Sequence, residues 1–288
     1  MTNTPHVLLL GGTGKTARRI APRLAAAGAE VRTAARSGAD VAFDWDDPSG
    51  HDAALAAMDA VYLVPPALRL DFAPQVAAFL DRAEAAGVGH VTFLSARGVD
   101  QLPPEVALRA VELDLAHRST FTHSVLRPAW FMQNFSEAFF LPGIVEAGVL
   151  DAPTGDGAEA FIHADDIADA AAATLLDPAA HAGQEYELTG PEALTFGQAA
   201  ERISAVTGRT IVHQDSDPGE WLEQTVAAGV PQDYASLLQG LLAVVHESGG
   251  AATTDAVRRA TGHAPRSFAD YLADPATVAA WTTPVPAR

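Results

Sequence analysis

Residues 7–20 read VLLLGGTGKTARRI, and the chemistry they offer is the holding of a phosphate. Two kinds of phosphate loop compete for Gly11-Gly12-Thr13-Gly14-Lys15-Thr16. A nucleoside-triphosphate loop has the form G-x-x-x-x-G-K-[ST]. Counted back from Gly14-Lys15-Thr16, its first glycine falls on Leu9, inside the apolar run, so the loop is too short to wrap a β/γ-phosphate. Such an enzyme also uses an Asp at a strand end to hold Mg²⁺, whereas the best candidate strand end, Val61-Tyr62-Leu63-Val64, runs into Pro65-Pro66. A dinucleotide loop fits instead. Gly11, Gly14 and Ala17 make G-x-x-G-x-x-A between a strand and a helix: Gly11 for the sharp turn, Gly14 for close approach of the pyrophosphate, Ala17 for close helix–strand packing. Thr13, Lys15 and Thr16 complete the loop, and the pyrophosphate would lie against the free N–H groups of the helix start. The same residues also suit a ligand-free turn.

The second strand selects between dinucleotides. NAD sites place an Asp or Glu at its end for the ribose 2′-hydroxyl. Glu30 stands at the strand's beginning, too early for this, and the strand ends Ala34-Ala35-Arg36-Ser37. Arg36 is expected to pair with a 2′-phosphate, with Lys15 adding charge from the loop, so NADP(H) is favoured over NAD(H). Asp44, with Trp45 beside it, is placed to reach the adenine; Asp44-Trp45-Asp46-Asp47 reads equally as a solvated turn.

These residues need a parallel sheet to hold them. Strands are expected at His6–Gly11, Glu30–Ala34, Val41–Phe43, Ala60–Val64, Val88–Leu94 and Thr122–Leu126. Helices are expected at Thr16–Ala27, Asp52–Met58, Asp71–Ala86 and Pro104–Arg118. That alternation specifies an α/β fold, a Rossmann-type doubly wound parallel sheet covered on both faces. The order then loosens: a helix over Met132–Ala147, a Gly-rich loop at Asp151–Gly157, a short strand at Phe161-Ile162 and a helix at Asp165–Leu176. A strand at Gln184–Leu188, a helix at Thr195–Thr207 and a strand at Thr210–His213 precede mostly helical sequence from Pro218. Residues 1–190 are assigned to the NAD(P)-binding domain and 191–288 to a smaller, mostly helical C-terminal substrate lobe, with parts of 130–160 contributing to the pocket.

With 288 residues, 48% hydrophobic, the chain can bury a large core. No apolar run approaches the ~18 residues of a membrane span, MTNTPH has no signal-peptide character, and there is no cysteine, hence no disulfide or thiolate chemistry. A cytoplasmic protein without a membrane partner is expected. The net charge of −18 disfavours a nucleic-acid partner, although Arg18, Arg19, Arg23, Arg32 and Arg36 leave an early basic cluster. A small-molecule substrate remains. No His/Glu spacing of the HExxH kind suggests a metal, and Ser95 is outside any G-x-S-x-G elbow.

Taken in order, GGTGKTARRI, AARS, FDWDDP, AVYLVPP, VTFLSARGV, SVLRPAWFMQNF, FIHADDIADAAAATL, YELTGPEALTFGQAA and ATGHAPRSFADY resemble the NmrA-like group of atypical short-chain dehydrogenases/reductases over nearly the whole chain. GGTGKT and LRPAWFMQNF are most similar to bacterial NAD(P)H-binding oxidoreductases and ergot-alkaloid iminium reductases, with NADPH quinone reductases a further relative. The resemblance implies that Val64 and Pro65 run beside the cofactor, that Ser95 ends the fifth strand near the nicotinamide ribose, and that Phe131, Met132 and Asn134 line the substrate pocket. It implies an oxidoreductase with substrate held over the nicotinamide, between domain and lobe.

One expected pair is missing. Ordinary short-chain dehydrogenases use Tyr-x-x-x-Lys, the Tyr transferring a proton and the Lys lowering its pKa. Lys15 is the only lysine in the chain, and Leu108 and Glu112 stand where the pair would be. Three readings follow: reduction of a quinone, an activated C=C or an iminium, which needs little acid help; NADP(H) binding without turnover, as in a redox sensor; or a cyclisation or isomerisation on the same fold. His117, His123 and His163 are weighed as acids and read as surface or core residues, and Asp165 or Asp166 as a helix cap.

Overall fold

A computed structural model describes residues 4–137 and 139–282. The chain runs β1 (His6–Leu10), α1 (Ala17–Ala26), β2 (Glu30–Ala35), β3 (Val41–Ala42), α2 (His51–Leu55), β4 (Ala60–Leu63), α3 (Ala73–Ala85), β5 (His90–Leu94), α4 (Ala107–His117) and β6 (Thr122–Pro128). There follow α5 (Leu141–Glu146), β7 (Val149–Asp151), β8 (Ala158–Glu159), α6 (Ala164–Leu176), α7 (Pro178–His181), β9 (Gln184–Leu188) and β10 (Leu194–Thr195). The chain closes with α8 (Phe196–Thr207), β11 (Val212–Gln214), α9 (Pro218–Ala227), α10 (Gln232–His246), α11 (Ala256–Thr261), α12 (Phe268–Ala273) and α13 (Pro275–Thr282).

Seven strands form one sheet in the order β3-β2-β1-β4-β5-β6-β9, every pair parallel. The expected doubly wound α/β fold is therefore present. Strands buried on both faces read as continuous apolar runs: Val7–Leu10 and Val61–Leu63 are fully buried. The chain goes outward from β1 to β2 and β3, then returns to β4 on the other side of β1. The carboxyl ends of β1 and β4 thus flank the switch point where open α/β sheets take ligands.

The chain forms two compact units, each drawn from separate segments. The first comprises Met1–Pro128, Ala164–Leu188 and Ala256–His263; the second, Ala129–His163, Thr189–Asp255 and Ala264–Arg288. The sequence reading divides the chain once, near residue 190. In the first unit, Leu8, Leu10, Val61, Leu63, Phe79, Val91 and Phe93 anchor the sheet core. In the second, Phe135, Phe161, Phe196, Phe268, Tyr271 and Trp281 gather in an aromatic core, where the Trp281 indole N–H donates to the Phe135 carbonyl at 2.7 Å. Helix α8 is sharply bounded because Thr195 and Gln198 form a reciprocal capping box and Gly208 ends it in the left-handed region.

Three elements depart from the sequence reading. The helix expected over Met132–Ala147 is a 3₁₀ turn at Met132–Asn134 and a separate α5. Pro142 lies in the first turn of α5, and its ring and missing N–H would break a helix running through from Met132; Ala138, within that stretch, lies outside the described residues. Phe161-Ile162 forms only a single bridge, Phe131 to Ile162, while β8 pairs with β10 and β7 with β11 in two short sheets. Asp165 and Asp166 sit inside the first turn of α6, which starts at Ala164, rather than before it. Asp165 there takes Arg23 Nη2 at 3.0 Å and Arg19 Nε at 3.5 Å, a carboxylate near a helix start being favoured by the dipole. Among the described residues no helix is long and apolar enough to cross a membrane.

Candidate cofactor and active site

The turn after β1 is tight and built from glycine. Gly11 has φ +63°, a value that side chains disfavour, and the Gly14 amide donates to the Gly11 carbonyl at 2.7 Å. A Cβ on Gly14 would lie 2.9 Å from that carbonyl oxygen. Gly12, which the motif reading passes over, is the more crowded: a Cβ there would meet Thr33 Cβ at 2.6 Å and the Ala34 nitrogen at 3.1 Å. The loop lies across the end of β2, and the Gly12 amide donates to the Ala34 carbonyl at 3.0 Å. Ala17 is buried at the start of α1.

The start of α1 suits an anion. Thr16 occupies its N-cap without a side-chain capping hydrogen bond, and the first turn carries no acidic residue. The first N–H groups of a helix have no partner within the helix, and the dipole there favours negative charge. Thr16 is buried at 5% exposure, and its Oγ1 accepts from the Tyr62 hydroxyl of β4 at 3.0 Å. Burial raises the Tyr62 phenol well above its ordinary pKa, more than the bond to Thr16 lowers it, so the phenol keeps its proton and donates. The Val64 side chain stands next to Gly11, since a Cβ on Gly11 would lie 3.8 Å from Val64 Cβ; Pro65 follows, half-buried.

Arg36 is exposed in the turn between β2 and β3. Asp40 closes that turn, accepting from the Thr33 amide at 2.8 Å and the Thr33 hydroxyl at 2.7 Å. The amide bond first, then the hydroxyl, holds the Asp40 carboxyl below its usual pKa. Gly38, at φ +70°, would bring a Cβ within 3.4 Å of Thr13 Cγ2, so the Arg36 turn packs against the phosphate loop. Lys15 is half-buried in the loop, and its carbonyl accepts from Arg19. Asp44 and Trp45 divide between the two readings of their run. The Asp44 carboxylate accepts from the Asp46 amide in a local turn. Trp45 packs edge-on to Phe43 and Phe79, with ring centroids 5.1 and 5.5 Å away.

The end of β5 is organised by charge. Ser95 is buried at 6% exposure, and its hydroxyl donates to Glu112 Oε1 at 2.6 Å. Glu112 also receives Arg127 Nε at 2.8 Å and Nη2 at 2.9 Å, and Arg109 Nη1 at 3.0 Å. Arg127 Nη1 continues to Glu185 on β9 at 2.7 Å. Burial opposes the charge on Arg127, but its bonds to Glu112 and Glu185 outweigh it and raise the guanidinium pKa. Sequence reasoning found Glu112 only as the residue standing where a lysine would be. Its partner Arg127 lies on β6, and Arg127's second carboxylate, Glu185, on β9, so nothing local signals them.

The pocket candidates lie in the second unit. Phe131 and Asn134 are half-buried, whereas Met132 is 1% exposed and belongs to the aromatic core. Between them Gln133, buried and missed by the sequence reading, brings its Nε2 to 2.9 Å from His163 Nε2, and the His163 ring packs edge-on to Tyr271 with centroids 5.9 Å apart. In the first unit Asp166, Asp169 and His263 hold their ligand atoms within 4.8 Å of one another; Arg23 Nε bonds Asp169 at 2.5 Å, engaging that cluster in an ion pair.

A parallel sheet with a glycine turn and an uncapped helix start at its switch point is the arrangement of an NAD(P)-binding Rossmann domain. The profile of the NmrA-like family matches residues 3–272, and the chain belongs to that family. It is 36% identical over 283 residues to an oxidoreductase of Bacillus subtilis, YesF, covering 96% of each chain. It is 34% identical to an agroclavine dehydrogenase of Claviceps fusiformis, covering 93% of this chain and 96% of the other. Its fold matches that of an NADPH-dependent quinone oxidoreductase of Escherichia coli, solved with NADPH, at a TM-score of 0.72 and 23% identity over 92% of this chain and 98% of the other.

Proposed function

We propose that the protein uses NADP(H), in preference to NAD(H), to reduce a conjugated acceptor: a quinone, an activated C=C or an iminium. The observation that carries the choice of acceptor is Glu112. Where ordinary short-chain dehydrogenases put a lysine to lower the pKa of a tyrosine, α4 carries a carboxylate bonded to Ser95, Arg109 and Arg127. A ketone or alcohol, which needs a proton moved in step with hydride, is poorly served by that arrangement. An acceptor already polarised by conjugation or positive charge needs chiefly to be held in place.

The residues of the first unit fit the dinucleotide. Gly11, Thr13, Gly14, Lys15 and Thr16 would hold the pyrophosphate at the uncapped start of α1. Arg36, on a turn packed against Thr13, would take the 2′-phosphate, and Asp44 and Trp45 the adenine side. Val64, Pro65 and Ser95 would border the nicotinamide nucleotide, which supplies the hydride when bound. Phe131 and Asn134, both half-buried, are assigned to the substrate; Met132, buried in the aromatic core, is not. The quinone and alkaloid activities named for similar proteins support the class of acceptor.

The test is stopped-flow oxidation of NADPH with a panel of quinones and cyclic iminium salts. Turnover of at least one panel member is expected; tight NADPH binding without turnover of any would instead favour a redox sensor. For the cofactor, Arg36→Ala is expected to weaken NADPH by about 10–100-fold, the worth of a charge-assisted contact, and NADH by less than about threefold. Equal losses for the two would remove the 2′-phosphate assignment.

A further inference from the structure

Glu112 is saturated. Oε1 receives Ser95 Oγ and Arg127 Nε, and Oε2 receives Arg127 Nη2 and Arg109 Nη1, at 2.6 to 3.0 Å. It is 3% exposed and Arg127 is 6% exposed. A carboxyl group whose two oxygens receive three guanidinium N–H groups serves the Ser95 hydroxyl as an acceptor. The Ser95 hydroxyl has one hydrogen, and this geometry commits it to Glu112. What remains on Ser95 Oγ is lone pairs. The polar group at the carboxyl end of β5 is therefore an acceptor, although serine in general serves as either.

The hydroxyl at the end of the glycine turn has the opposite polarity. Thr16 Oγ1 accepts from Tyr62, which leaves its own proton to donate. A donor suits a phosphate oxygen; an acceptor suits a hydroxyl. The two strand ends thus present complementary halves of a nucleotide, an anion on one side and a hydroxyl-bearing sugar on the other. Both roles rest on the proposed binding of a nicotinamide dinucleotide at those strand ends.

We propose that Glu112, held by Arg127 and Arg109, is a positioning residue that orients the Ser95 hydroxyl inward, so that Ser95 selects a hydroxyl of the nicotinamide ribose by accepting its hydrogen bond. Here a carboxylate of α4 acts through a serine, which is left to present an acceptor. Glu112 touches no reacting atom and moves no proton in this scheme.

Binding of NADPH is measured by quenching of tryptophan fluorescence, for the wild type and for Ser95→Ala, Ser95→Thr, Glu112→Gln and the Ser95→Ala/Glu112→Gln double variant. It is repeated with two NADPH analogues, one lacking the 2′- and one the 3′-hydroxyl of the nicotinamide ribose. One hydrogen bond of this kind is worth about tenfold. Ser95→Ala is expected to weaken NADPH about tenfold, Ser95→Thr to restore most of it, and the double variant to lose no more than the larger single loss. One analogue is expected to bind the wild type about tenfold more weakly than NADPH does, with no further loss on Ser95→Ala. Because Glu112→Gln disturbs a buried ion pair, circular dichroism checks its fold; if it fails to fold, Ser95→Ala and Ser95→Thr against the analogues decide alone. Undiminished NADPH binding in Ser95→Ala, or an equal loss with NADPH and with both analogues, overturns the proposal while leaving the cofactor reading in place. Wild-type protein that binds neither NADPH nor NADH overturns both.

Discussion

The carboxyl ends of β1 and β5 belong to one sheet and are organised by opposite means. At β1 the chain strips side chains away: Gly11, Gly12 and Gly14 let backbone pass close to backbone, and the helix start carries no acidic cap. At β5 it inserts charge: Ser95 is held by a carboxylate that two arginines hold in turn, all at or near full burial except Arg109 at 24% side-chain exposure. The first arrangement is made by the main chain and costs little desolvation. The second removes ions from water and is stable only while every partner is present. A binding surface can thus be prepared either by leaving donors unspent or by spending a hydroxyl's only proton elsewhere.

The contrast can be broken most forcefully at β5. Glu112→Leu removes the carboxylate and leaves Arg127 buried without its main partner, and a loss of about 3–5 kcal/mol in unfolding free energy is expected. Urea denaturation followed by circular dichroism measures it; a loss under about 1 kcal/mol would mean that water replaces the carboxylate and that this strand end is not a dry ion network.

The opposite end of the same strand supplies a pH test. His90 is 1% exposed, with Nδ1 2.8 Å from Thr122 Oγ1. Burial first, then the charges of His123 and His181, lower its pKa from 6.5 to about 4. The folded state therefore keeps His90 neutral while the unfolded chain takes up a proton below pH 6.5. The contribution is fully present above that pH and is lost as pH falls towards about 4, at roughly 1.4 kcal/mol per pH unit, for a total of about 3 kcal/mol. His123, also lowered by burial, acts in the same direction. Urea midpoints between pH 7.5 and 4.5 should show the fall, and His90→Asn should flatten it; an unchanged slope in that variant would place the acid sensitivity elsewhere.

The smallest of the three effects lies in the glycine turn. Gly12→Ala puts a methyl group 2.6 Å from Thr33 Cβ, and overpacking of this kind costs about 1–3 kcal/mol. Differential scanning calorimetry should show a lowered midpoint, together with weaker NADPH binding as the loop shifts from the end of β2. A neutral substitution would show that the loop is free to move, and would weaken the contrast with β5.

Legibility in the sequence follows the same division. Gly11, Gly14 and Ala17 announce a turn because their effect is local: backbone freedom at one residue, close packing six residues on. The strands of the sheet are likewise readable, since burial on both faces makes VLLL and AVYL continuous apolar runs. Ser95, Glu112, Arg127 and Glu185 span four elements and share no period. Glu112 inside α4 reads as an ordinary helix glutamate until β6 brings Arg127 against it. The broken stretch after Met132 shows the same limit. Apolar residues there suggest one helix, but Pro142 starts a separate one, and Phe135 and Phe140, both ahead of it, join the aromatic core.

From sequence alone came the parallel sheet, the dinucleotide turn in place of a triphosphate loop, the 2′-phosphate candidate Arg36 and the absence of any lysine with which to build the usual catalytic pair. Each follows from local backbone preference, hydrophobic period or simple counting. Only the tertiary structure decided that Gly12 is the most crowded glycine of the β1 turn, that two compact units draw on interleaved segments of the chain, and that the Ser95 hydroxyl faces Glu112. Those outcomes depend on which distant residues share a buried volume, and so on where a buried carboxylate finds its hydrogen-bond donors.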